Sequence, residues 1–113
     1  MALLTFLIAT PAHTLSMYLK IHRSADGGEV VAVCDRELLN TTVRRGDLEI
    51  CISENFYGTR LTEPEEVISV LKTAGNANLM GERVVSLAMK NGLIESSACI
   101  TLGTVPHAQI IRL

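Results

Sequence analysis

Cysteine and histidine are the residues of this 113-residue chain best suited to nucleophilic, metal-binding or proton-transfer chemistry, and it holds three of each. Cys34, Cys51 and Cys99 include no C-x-x-C pair, so their spacing gives no support to a structural zinc site. Each lies on or at the end of a segment that reads as a strand, and the expectation is three buried structural thiols in a reducing cytosol. A nucleophilic cysteine needs a base close by, and only folding could bring His22 or His107 to Cys34. His13, His22 and His107 never stand at the H-x-x-x-H spacing that aims two imidazoles from one helical face. His107 follows Pro106 in a turn before the last strand. It could bind a ligand or move a proton near neutral pH, but a loop-fixing hydrogen bond is the simpler role. No metal and no cofactor are expected, and no residue is assigned as catalytic.

Two further stretches carry recognition chemistry. Phe56, Tyr57 and Gly58 close the segment that begins at Glu54, and the pair supplies two of the chain's four aromatic residues. Read as an extended segment, it would put one ring into the core and offer the other to a partner. Asn76-Ala77-Asn78-Leu79-Met80-Gly81-Glu82-Arg83 reads as a helix start. Its free amides, with Asn78, Gly81, Glu82 and Arg83, could receive an anion. Capping by Asn76 or Asn78 and close packing at Gly81 would explain the same residues. The P-loop pattern is absent. Arg44-Arg45 is followed by Asp47 and Glu49 and reads as a solvated turn. Glu63, Glu65 and Glu66 favour the positive end of their helix.

The elements that must position these residues follow from periodicity and turn chemistry. Met17 to His22 alternates as a half-buried strand, Ala25-Asp26-Gly27-Gly28 turns, and Glu29 to Cys34 returns as a β-branched strand. Asp35 is placed to cap a short helical turn, Asn40 to Arg45 reads as irregular, and Leu48 to Ser53 alternates again. After a short extended piece, Thr62 and Glu65 have capping-box spacing with Pro64 in the first turn. The helix that follows has Val67, Ile68, Leu71 and Ala74 on one stripe, and Gly75 suits its end. A second helix is expected from about Asn78 to Asn91, then strands near Ala98–Leu102 and Ala108–Leu113. Strands, a central helical pair, then strands again imply a small α+β domain. Its sheet should be mixed or mainly antiparallel, with about five strands.

Composition narrows the function classes. A 48% apolar content excludes disorder as a description of the chain, and a net charge of −2 gives no strongly basic nucleic-acid binder. Residues 1–16 contain no Lys, Arg, Asp or Glu. Their apolar run is too short for a membrane span and lacks the basic start of a secretory signal, so no membrane partner is expected. They read as an uncharged extension upstream of a true start at Met17, with residues 17–113 forming one domain.

From Met17 onward the chain carries an ordered set of motifs: the Met-Tyr-Leu-Lys-Ile-His opening, Val31-Ala32-Val33-Cys34-Asp35, Gly46-Asp47-Leu48, Phe56-Tyr57-Gly58, Asn78-Leu79-Met80-Gly81-Glu82-Arg83 and Val105-Pro106-His107-Ala108-Gln109. Residues 17–113 thereby resemble the small archaeal family called domain of unknown function 424. The resemblance implies an archaeal, cytoplasmic, single-domain protein, and supplies no reaction, cofactor or catalytic residue. Its motifs fall mainly at junctions between elements, where sites usually form. Phe56 to Gly58, Asn78 to Arg83 and Pro106-His107 are therefore expected to converge on one pocket or contact face. The leading functional expectation is a non-enzymatic module that binds RNA or a ribonucleoprotein such as the ribosome. The alternatives are a binder of, or enzyme acting on, a small anionic metabolite, and a homodimerising structural subunit.

Overall fold

The computed structural model describes residues 16–113, so the expectation about residues 1–16 lies almost wholly outside it. Strands β1 (Met17–Arg23) and β2 (Glu29–Asp35) form the expected hairpin, in register from Met17 opposite Asp35 to Arg23 opposite Glu29. Gly27 turns the chain at φ 90°, and the Gly28 amide donates to Asp26 Oδ1 at 3.0 Å. Strand β6 (Asn76–Met80) lies parallel to β2, and β8 (Val105–Ile111) runs antiparallel to β6. The edges are β7 (Cys99–Leu102) beside β8 and the two-residue β5 (Leu61–Thr62) beside β1, giving the order β5-β1-β2-β6-β8-β7. The mixed α+β sheet is as expected, with six strands where about five were anticipated.

The extra strand corrects the reading of Asn78–Met80 as a helix start. Two asparagines make a poor local strand signal, but this segment sits between β2 and β8, which take its backbone hydrogen bonds from both sides. Ala77 and Leu79 are buried on one sheet face and Met80 on the other. Tertiary position overrides local propensity here.

One face of the sheet is closed by helices α2 (Pro64–Thr73) and α3 (Glu82–Lys90). Val67 and Leu71 of α2 and Val84, Val85 and Ala88 of α3 pack on Leu19, Val31, Val33, Leu79, Ala108 and Ile110. The expected capping box does not form: Glu63 occupies the cap position, and Thr62 is buried in β5. Pro64 does begin α2. Arg112 finishes this end, its guanidinium donating to the Leu71 carbonyl at 2.9 Å and to that of Ala74.

The other face is covered over part of its area by a hairpin of β3 (Thr42–Arg45) and β4 (Leu48–Cys51), followed by the single helical turn α1 (Glu54–Tyr57). Two expectations change here. Asn40–Arg45 is not irregular throughout, because Val43 enters this second core and draws Thr42–Arg45 into a strand. The aromatic pair lies on a helical turn, not on an extended segment. Val43, Ile52 and Tyr57 pack there on Ala32, Cys34, Met80 and Leu102.

Candidate binding surface

Asp35 ends β2 and Gly81 directly follows β6, so the two parallel strands deliver these residues to one corner of the sheet. The Asp35 side chain does not cap the turn that follows it. It reaches instead to the start of α3, accepting hydrogen bonds from the Arg83 amide at 2.8 Å and the Val84 amide at 2.9 Å. Sequence separation hid this cap, which acts across 48 residues. Gly81 makes room for it: a Cβ there would lie 2.4 Å from Asp35 Cγ, and the backbone sits at φ 122°. Burial pushes the Asp35 carboxyl above its ordinary range, and the hydrogen bonds from Arg83 and Val84 offset only part of that effect. The Arg83 guanidinium pairs with Glu37 just outside. The anion at this helix start is thus one of the chain's own carboxylates.

A cleft of about 420 Å³ opens beside this corner, lined among others by Asp35, Glu37, Glu82, Arg83, Ser86 and Lys90. Its carboxylates outnumber its cations. Two backbone amides that would have held an external anion are occupied.

Phe56-Tyr57-Gly58 is explained largely by packing. Tyr57 is buried against the second core, and burial raises its phenol above the ordinary range. Gly58, at φ 77°, lies so close to β1 that a Cβ would come within 3.1 Å of Lys20 Cβ. Phe56 is only half-buried. Its ring stacks on His22 with centroids 5.0 Å apart and meets Tyr57 edge-on at 4.9 Å. His22 Nε2 is 2.7 Å from the Phe56 carbonyl, which fixes the imidazole against the turn. Lys20 Nζ donates to the Asn55 carbonyl at 3.1 Å beside it.

Asn78 and His107 fall on the same face of the sheet. The pairings place Lys20, Ala32, Asn78 and Gln109 in one row across β1, β2, β6 and β8. The next row holds Tyr18, Cys34, Met80, His107 and Ile100. The last strand begins at Val105 and not near Ala108, so His107 lies within β8 and not in a turn before it. Its Nδ1 is 2.9 Å from the Leu79 carbonyl of β6, a contact between strands in place of the expected loop-fixing bond. Pro106 accepts from the Gly81 amide at 2.8 Å, so the Asn78–Arg83 and Pro106-His107 segments meet directly. Phe56 to Gly58 lies over β1 and β2 on the same face, apart from that contact. Glu82 and Arg83 turn toward the cleft at the strand ends.

The half of this face beyond the hairpin and α1 is open. Lys20, Ile100, Gln109 and Ile111 are exposed, and His22, Val30, Asn78 and His107 are half-buried. Among the described strand residues none of the side chains on this face is Asp or Glu. Sequence reasoning singled out Asn78 and His107 but missed Lys20, His22 and Gln109. The period-2 alternation was legible for β1, but which of its faces stays uncovered was not.

The cysteines divide three ways. Cys34 is buried, and burial, with Asp35 and Glu37 nearby, pushes its thiol up to about 12. Such a thiol stays protonated and is no nucleophile at neutral pH. Cys99 is half-buried and Cys51 is exposed, against the expectation of three buried thiols. Cys51 points outward because Ile50 and Ile52 take the inward positions of that segment.

The chain is thus an α+β fold with two cores and one partly open sheet face. Residues 22–113 match the model of the family described as "Protein of unknown function (DUF424)", and the chain belongs to that family. A crystal structure of an uncharacterized conserved protein from Methanopyrus kandleri, an archaeon, is similar to this chain. The two share 28% identity over 87% of this chain and 94% of that one, with a TM-score of 0.70. No curated protein matches the sequence. No helix among the described residues is long and apolar enough to cross a membrane.

Proposed function

We propose that this protein is a cytoplasmic, non-enzymatic module that binds single-stranded RNA, alone or within a ribonucleoprotein such as the ribosome, on the open half of the sheet face. The observation that carries this reading is the charge distribution. The chain has a net charge of −2, yet this face carries Lys20, His22 and His107 and no strand carboxylate. The strands of this face thus present no carboxylate to repel an anionic polymer. The half-buried His22–Phe56 stack at one margin offers a flat ring surface to a base. Asn78 and Gln109, opposite one another on β6 and β8, offer amide donors and acceptors to base edges. Stacking contributes about 1–3 kcal/mol per base and does not require a basic protein.

The anionic-metabolite alternative has weaker support, because Asp35 holds the helix-start amides and the adjacent cleft is richer in acids than in bases. The test is fluorescence anisotropy with short single-stranded and duplex RNA at low salt. The expected result is preference for the single strand with a shallow salt slope, about −1 in log–log terms, since one lysine serves the face. Failure to bind any single-stranded RNA at low salt, together with no co-sedimentation with ribosomes of the native host, would overturn the reading.

A further inference from the structure

The two edges of the main sheet are built differently. β5 is two residues long, preceded by Arg60 and followed within two residues by Pro64, and a short edge guarded by charge and proline does not accept another strand. β7, Cys99-Ile100-Thr101-Leu102, carries neither a charge nor a proline. It connects to β8 through Gly103-Thr104, with Leu102 opposite Val105 and Gly103 at φ 65°. A two-residue hairpin loop makes its flanking residues a hydrogen-bonded pair, so Leu102 and, by alternation, Ile100 direct their backbone groups to β8. Thr101 directs both of its backbone groups outward, whereas at Cys99 only the carbonyl is available there, because the Cys99 N–H donates to the Ser96 carbonyl of the preceding turn. Pro106, which has no N–H, stands opposite Thr101, where β8 owes β7 no bond. Thr101 is exposed, and Ile100 is 45% exposed.

We propose that β7 pairs antiparallel with β7 of a second copy of this chain, joining the two six-stranded sheets across a two-fold axis. Residues facing one another in an antiparallel pair point to the same face, which restricts the register. Centred on Ile100, the pairing sets Ile100 against Ile100 of the second copy on the open face. The Thr101 N–H then donates to the Cys99 carbonyl of the second copy, and the two-fold axis repeats that bond. This register uses the Thr101 N–H and the Cys99 carbonyl of each copy and covers the exposed isoleucine with its twin. An uncharged strand meets no repulsion from its own copy, and the two-fold makes each contact twice. The open faces of the two copies become continuous, while the pairing itself stands whether or not that face binds RNA.

The experiment is light scattering and sedimentation equilibrium of the full chain up to about 200 µM, since an edge-only interface belongs to the weak class, with a Kd on the order of 10 µM. A reversible dimer is expected. Thr101→Pro removes an outward N–H without taking a bond from β8, and should weaken dimerisation about tenfold or more. Ile100→Lys, at an exposed position, should do the same and decides the matter if the proline variant fails to fold. With Cys51 and Cys99 changed to Ser, Ile100→Cys should cross-link across the axis under mild oxidation with copper-phenanthroline, because the paired positions are of the close, non-hydrogen-bonded kind. A monomer throughout the concentration range overturns the proposal. So does a dimer that both Thr101→Pro and Ile100→Lys leave intact.

Discussion

The two faces of the central sheet receive strands of the same lengths and twist, yet they end differently. Beneath α2 and α3, Leu19, Val31, Val33, Leu79 and Ala108 are all buried. On the opposite face only one end is packed, by Val43, Ile52 and Tyr57, and the rest presents Lys20, His22, Asn78, His107 and Gln109. Burying polar side chains without partners is unfavourable, so a face of this composition stays open or meets a polar ligand. The first face makes the fold, and the second is left partly open. The corner where Asp35 meets Gly81 holds the helical face to the sheet.

The largest effect is expected at that corner. Gly81→Ala forces an unfavourable φ and drives a Cβ to 2.4 Å from Asp35 Cγ. It should cost about 3 kcal/mol or more in urea unfolding; a variant within about 1 kcal/mol of the parent would show that the latch is dispensable. Leu79→Ala, which opens a cavity under the helices, should cost about 2–5 kcal/mol, as read from the same denaturation curves.

Asp35 gives a smaller, pH-dependent effect. Asp35→Ala abandons the Arg83 and Val84 amides and should cost about 2–3 kcal/mol. Asp35→Asn keeps one acceptor and should cost less. Because burial raises the folded pKa, the unfolded chain ionises first, so the contribution of Asp35 is full below its ordinary value of 3.8 and declines as the pH rises through the folded pKa. Asp35→Asn should therefore gain stability relative to the parent between pH 4 and pH 7, and a gap that widens with pH would contradict the burial argument.

On the open face the contrast reverses. Asn78→Ala and Gln109→Ala should change stability by less than about 0.5 kcal/mol, while weakening single-stranded RNA severalfold in anisotropy. If either unfolds the protein, the face is a core and the comparison collapses. Phe56→Ala tests the margin, where loss of the stack with His22 should reduce RNA affinity by about tenfold, equivalent to roughly 1.4 kcal/mol within the range of base stacking.

The sequence by itself determined the β1–β2 hairpin, the start of α2 at Pro64, the presence of two closing strands and the α+β class. Each rests on local chemistry: alternation, glycine turns and proline at a helix start. Its motif set also placed the chain in its family, and its residue types brought Asn78, Arg83 and His107 forward as site candidates. What it could not determine were the strand at Asn76–Met80, the partner of the Asp35 carboxylate and the side of the sheet left uncovered. Those depend on contacts between residues far apart in the chain. Local propensity at Asn78 does not register the hydrogen bonds that β2 and β8 provide, and a carboxylate that caps a helix 48 residues away leaves no mark at the spacing where caps are sought. Only the tertiary structure closes such distances, and it alone made one face a core and left the other open.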